Sequence, residues 1–157
     1  DDYWNNANNF YIYFNSSDKQ NYKFFFIPFD YDNTLGTSLN CGVQSDAGSH
    51  SPLEWGDSGR SPLIGKIVQF DDYRAIYLEA LRELTAEENN LMHYRTAIDR
   101  IRGWHSLIGN YIVNDTNEDN YIEDRPAPWG NRHDYRLLDE SSTTNFFRVK
   151  AASIPRQ

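Results

Sequence analysis

The run FFFIPFDYDNTLG, Phe24 to Gly36, decides how the rest of this chain is read. Its first half, rich in phenylalanine and isoleucine, has the composition of a β-strand. Pro28 falls near the end of that strand, where the loss of one ladder hydrogen bond is tolerated. The strand then delivers two carboxylates, Asp30 and Asp32, to the mouth of a turn. In an extended segment both alternate to one face, where they can share a cation. Mg²⁺ takes one or two carboxylates and completes its shell with water and substrate phosphates, so carboxylates fixed at the end of a buried strand suit phosphoryl transfer. Asp and Asn also favour turns for local hydrogen-bonding reasons, and a plain turn is the competing interpretation.

Upstream lies DDYWNNANNFYIYF, Asp1 to Phe14, where an acidic pair precedes Asn5, Asn6, Asn8 and Asn9 and then another aromatic strand. Strands are predicted over residues 8–14 and 22–29, joined as a hairpin by the polar segment Asn15 to Asn21. An Asp base, an Asn metal ligand and a second metal-binding Asp after a later strand follow one another in this order in protein kinases. The spacing here is longer than in ordinary kinases.

The 157 residues are enough for one domain or for a piece of a larger one. A formal charge of −8 leaves no basic stripe to neutralise phosphates, so nucleic acid is not an expected partner; the charge suits a basic partner but does not identify one. Cys41 is the single cysteine, which rules out an intrachain disulfide and a cysteine-rich zinc site. No stretch is apolar for long enough to span a bilayer.

Three regions follow from the pattern: a hairpin with its flanking motifs (1–36), a long Gly/Ser/Asn/Asp loop (37–60) and a helical region (61–157). Ser61-Pro62 predicts a helix N-cap with proline at the first position, opening PLIGKIVQF. Asp71 or Asp72 is expected to cap a second helix, and Thr85 with Glu88 reads as a capping box for a third that extends towards Val113. Residues 114–136 read as loop, and a short helix is predicted over about 143–152. The fold class is therefore α+β, a β-hairpin followed by a mainly helical segment. Trp4 and Trp104 are core candidates, while Trp55 and Trp129 lie in loops where they can line a cleft. Asp115, Asn117 and Asp119 alternate like calcium-loop ligands but lack the glycine of the sharp turn.

Taken together, Asn9-Phe10-Tyr11-Ile12-Tyr13 and Ile27-Pro28-Phe29-Asp30-Tyr31-Asp32 resemble the spore coat protein H (CotH) kinase-like family. Its hallmarks are an Asp-containing segment, an Asn before a YYLY-like strand, and an IPWDxD…G segment. Phe29 stands where Trp is usual. The resemblance implies an atypical protein-kinase-like C-terminal lobe using ATP and Mg²⁺, with Ca²⁺ or Mn²⁺ as alternative ions. It implies Asp1 as the catalytic base with Asp2 as the alternative, Asn9 as the metal-binding Asn with Asn8 as the alternative, and Asp30 as the chelator of the ion on the ATP phosphates. Asp32 assists the metal or orders the loop. A basic, Ser-rich protein substrate and an extracellular, cell-surface or spore-surface location are implied as well.

The lobe that cradles the nucleotide is expected to precede Asp1 in a parent chain. Lys19, Lys23, Lys66 and Lys150 show no kinase-like strand context, so the isolated chain is expected to be inactive. Two other functions compete. Asp30-Tyr31-Asp32-Asn33-Thr34 fits the DxDxT signature of haloacid-dehalogenase-type phosphatases, with Asp30 as nucleophile. That fold, however, needs strands alternating with helices. The other is a non-catalytic surface adhesion module of the same family.

Overall fold

The computed structural model describes residues 3–31, 34–35, 37–38, 48–55, 59, 61–89, 91–111, 124, 131–132 and 135–155. Asp1, Asp2, Asp32, Cys41, Asp115, Asn117, Asp119 and Trp129 lie outside the described residues. A four-residue helix, α1 (Tyr3–Asn6), leads into β1 (Phe10–Asn15) and β2 (Lys23–Pro28), which pair antiparallel from Phe10↔Pro28 to Asn15↔Lys23. The hairpin connection is drawn tight by Asp18, whose carboxylate accepts from the Gln20 amide at 2.9 Å and from the Asn21 side chain at 3.1 Å. Those bonds, the Gln20 amide first, hold the Asp18 carboxyl below its ordinary pKa.

Then come β3 (Thr37–Ser38), α2 (Pro62–Ile67), α3 (Asp71–Thr85), α4 (Tyr94–Ile108), β4 (Asn131–Arg132) and α5 (Phe146–Ser153). The expected α+β order, a hairpin followed by mainly helical chain, is what the structure has. β3 pairs antiparallel with β4, a two-residue ladder inside segments expected to be loop. No alternation of strands and helices follows β2 among the described residues, and β2 itself pairs antiparallel, so the DxDxT phosphatase fold is not the one formed.

Two helix starts differ from expectation. Asp71 and Asp72 sit in the first turn of α3 rather than at its N-cap, which is Phe70 in an extended conformation. There they complement the helix dipole, and Asp71 pairs with Arg74. Thr85 opens no capping box, because it ends α3: its hydroxyl donates back to the carbonyls of Leu81 at 3.0 Å and Arg82 at 3.2 Å. A single 3₁₀ turn, Glu87–Asn89, separates it from α4, whose N-cap is His93.

The core lies in the helical half. Ala97, Tyr135, Phe146 and Phe147 form one buried cluster, with Leu35, Met92, Ile101, Leu137 and Val149 packed against it. Tyr135 and Phe146 meet edge to face at 5.6 Å, a geometry that the ring quadrupoles favour. Asn145, fully buried, caps α5 through its side chain to the Arg148 amide and spends its amide group on the Asp139 carbonyl at 3.2 Å. Trp4 is buried as expected, but Trp104 is 56 % exposed.

The hairpin is not a buried element. Every residue of β2 is exposed, and one face of the sheet meets the Tyr3 ring, which packs edge-on against Phe10 at 4.8 Å and Phe26 at 5.5 Å. The other face shows Tyr11, Tyr13, Phe25 and Ile27, with Tyr11 stacked on Phe29 at 4.8 Å.

Candidate functional site

The open end of the hairpin is where the two sequence motifs meet. Asn9 precedes β1 and Asp30 follows β2, and register puts Asn9 opposite Phe29, whose amide donates to the Asn9 carbonyl at 3.1 Å. Beyond that last rung the Asn9 side-chain nitrogen donates to the Asp30 carbonyl oxygen at 3.0 Å. Two residues twenty-one positions apart are thus in direct contact.

Both adopt a left-handed backbone, with φ 56° at Asn9 and at Asp30. Asn and Asp visit this region more easily than other side chains, because their short polar groups bond locally. Ala7 and Leu35 share it, at φ 53° each, and these four are the positive-φ non-glycine residues among those described. All four flank the same end of the hairpin. Residues held in sparsely populated conformations persist only where the surroundings fix them. Here the fixing is visible: Leu35 is packed against the helical core, the Thr34 hydroxyl donates to the Tyr31 carbonyl at 2.8 Å, and Asn9 is bonded across the hairpin.

The left-handed turn at Asp30 removes the premise that Asp30 and Asp32 alternate along an extended strand. Asp30 is instead presented by a turn, exposed, beside the buried Asn9. Asp1, Asp2 and Asp32 fall outside the described residues, and Asn8 is exposed at the surface next to Asn9. Lys23 opens β2 at its other end, seven residues and so about 23 Å of strand from Asp30.

The oxygen donors present suit a hard divalent cation. The Asn9 side-chain nitrogen donates to a carbonyl, its amide oxygen is a donor of the hard type, and Asp30 supplies a carboxylate. Two protein oxygens are the number Mg²⁺ takes when phosphates and water complete its octahedron. No group of three or more His, Cys, Asp or Glu side chains close enough to hold a metal occurs among the described residues.

Along the face of the hairpin that Tyr3 covers, Tyr3, Trp4, Phe24, Phe26, Tyr31, Leu63, Ile64 and Ile67 line an apolar groove of about 340 Å³. Its far wall is α2, which grips Tyr3. The Ser61 hydroxyl donates to the Tyr3 carbonyl, and the Leu63 amide donates to the Tyr3 phenol oxygen at 3.2 Å. Ser-Pro read as a helix cap does not disclose either bond. The long loop returns to the core before α2: Lys150 donates to the His50 carbonyl at 2.9 Å, and Gly48 lies against the Tyr135 ring. Trp55 meets the His50 ring edge-on at 5.9 Å and lines no part of the apolar groove.

These features define an α+β domain with an oxygen-donor pair at the open end of its hairpin. The chain belongs to the CotH kinase protein family, whose match extends over residues 1–146. No curated protein and no solved structure gives a match. Membership of a kinase family implies ATP as phosphoryl donor and a protein as acceptor. Among the described residues no helix is long and apolar enough to cross a membrane.

Proposed function

We propose that this chain carries the catalytic loop and metal-binding hairpin of an atypical protein kinase. The kinase transfers the γ-phosphate of ATP to a serine or threonine hydroxyl of a secreted or surface protein. The observation that supports this most is the bond between Asn9 and Asp30 in a segment of concentrated left-handed backbone, within a chain of the CotH kinase family. Mg²⁺, when bound, neutralises charge on the ATP phosphates so that in-line transfer becomes electrostatically tolerable.

The protein residues divide the remaining work. Asn9 and Asp30 would hold the ion. Asp1, or Asp2 beside it, orients the acceptor hydroxyl and takes its proton as the oxygen attacks. A nucleotide-cradling lobe of the parent chain completes the site, and the formal charge of −8 suits a basic, Ser-rich acceptor.

The test is to incubate the full-length parent with Mg²⁺ and γ-labelled ATP and to separate the products. Label on serine or threonine of protein supports the kinase. Label released only as free phosphate contradicts it in favour of hydrolysis. No turnover contradicts it in favour of a surface-binding module, for which the exposed aromatic hairpin face would be the first place to look.

A further inference from the structure

Ser61 occupies the N-cap position of α2, as its sequence context predicts, but its side chain does not cap the helix. A serine before proline at the start of a helix ordinarily spends its oxygen on an amide of the first turn. Here the Ser61 side chain makes no cap bond to α2, although its carbonyl accepts the first helical bond from Gly65 at 3.2 Å. The hydroxyl donates instead to the carbonyl of Tyr3, fifty-eight residues away. The vacated capping position is filled from the other side, since the Tyr3 phenol oxygen accepts the Leu63 amide at 3.2 Å. Ser61 thus satisfies a backbone group of Tyr3 and Tyr3 one of Leu63, and Ser61 is completely buried, with 0 % of its surface exposed.

Tyr3 is the residue through which the Asp1–Asn9 segment is held. Its carbonyl also accepts the Ala7 amide at 3.0 Å, closing the single turn of α1, and its ring packs on Phe10 and Phe26 of the hairpin. One peptide bond, a Cα separation of about 3.8 Å, joins Tyr3 to Asp2. Six residues further on stands Asn9, bonded to Asp30. The Ser61 bond therefore bears on the chain next to Asp2, while Asn9 is tied to the hairpin.

We infer that Ser61 is a positioning residue for phosphoryl transfer: from the start of α2 it fixes the carbonyl of Tyr3, the residue that follows the candidate base pair Asp1-Asp2 in the chain. The inference rests on the proposed kinase function. Removing the hydroxyl leaves the Tyr3 carbonyl its Ala7 partner, so the fold is kept and the effect falls on alignment, to which reaction rates are steeply sensitive.

The experiment uses the full-length protein that carries this chain, with Ser61→Ala, Ser61→Thr and Tyr3→Phe, each normalised to folded protein. Ser61→Ala is expected to lower kcat roughly tenfold or more with the KM for ATP within about twofold, because binding is retained and alignment lost. Ser61→Thr, which keeps the hydroxyl, restores most of kcat, and amide exchange at Ala7 is faster in Ser61→Ala than in the native protein. Unchanged kcat in Ser61→Ala overturns the inference, as does a parallel loss in Ser61→Thr when that variant folds normally. If the extra methyl prevents folding, Tyr3→Phe takes its place: a smaller fall in kcat supports the clamp, and an unchanged kcat overturns it. A native protein that transfers no phosphate refutes the kinase function instead. The clamp on the Asp1–Asn9 segment then stands on faster Ala7 exchange in Ser61→Ala and falls on unchanged exchange.

Discussion

The Asn9 side-chain nitrogen donates to the Asp30 backbone carbonyl at 3.0 Å, across the open end of a two-stranded hairpin and between two residues of identical left-handed φ. Asn9 is 93 % buried while Asp30 is exposed, so one is a fixed post and the other a presented carboxylate. Both strands end in register at this point, which makes the separation of the two groups a property of the sheet.

The backbone at Asp30 separates two substitutions that would otherwise look alike. Asp30→Asn keeps a side chain that tolerates positive φ, so stability is expected to be unchanged while phosphoryl transfer is lost. Asp30→Ala loses transfer as well and adds a conformational cost of about 1–2 kcal/mol. Denaturant unfolding of the two variants checks the difference.

Asn9→Gly retains the backbone conformation and removes the amide. The hairpin is expected to form, with its open end loosened by the loss of one hydrogen bond, worth about 1 kcal/mol. If Asn9 ligates the ion, the Mg²⁺ concentration giving half-maximal transfer rises at least about tenfold in this variant. A titration of rate against Mg²⁺ measures it.

Gly48 anchors the long loop on the core for a steric reason. A Cβ placed there would overlap the Tyr135 ring, and Tyr135 belongs to the buried cluster with Phe146 and Phe147. Gly48→Ala is expected to cost about 1–3 kcal/mol through overpacking. Thermal unfolding should show the drop, and an unaltered midpoint would mean that the loop does not close on Tyr135.

Acid should loosen the turn that leads into α5. The Asp139 carboxylate accepts from the Ser141 hydroxyl at 2.7 Å and from its amide at 2.9 Å. The hydroxyl bond first, then the amide bond, lowers its pKa from the ordinary 3.8. A carboxyl whose pKa is lower folded than unfolded stabilises the fold above 3.8, and that contribution disappears as pH falls through the folded value. The stability difference between the native protein and Asp139→Ala is therefore expected to be constant at neutral pH and to shrink below 3.8. Denaturant unfolding across that range checks the sign.

The hairpin was readable because aromatic and isoleucine runs on both sides of a polar turn admit little else, and Asn9 and Asp30 stood out by their places beside it. Their contact was not readable, since it depends on left-handed turns that no local pattern marks when the residues are Asn and Asp rather than Gly. Burial was misjudged at β2 and at Trp104 for one reason: aromatic content shows that a surface seeks cover, not which neighbour supplies it. The β3–β4 pairing, two residues long, lies below any periodicity. Ser61 was readable as the N-cap residue of α2 and occupies that position; the bond of its hydroxyl to the distant Tyr3 carbonyl was not readable.

Transfer of label from γ-labelled ATP to protein by the full-length parent, beside Asp30→Asn of matched stability, tests the metal-binding role of Asp30 most directly. Labelled serine or threonine in the native reaction, reduced at least about a hundredfold in Asp30→Asn, is the expected result. Equal labelling in both proteins would contradict the assignment of Asp30, and with it the hairpin end as the catalytic metal site.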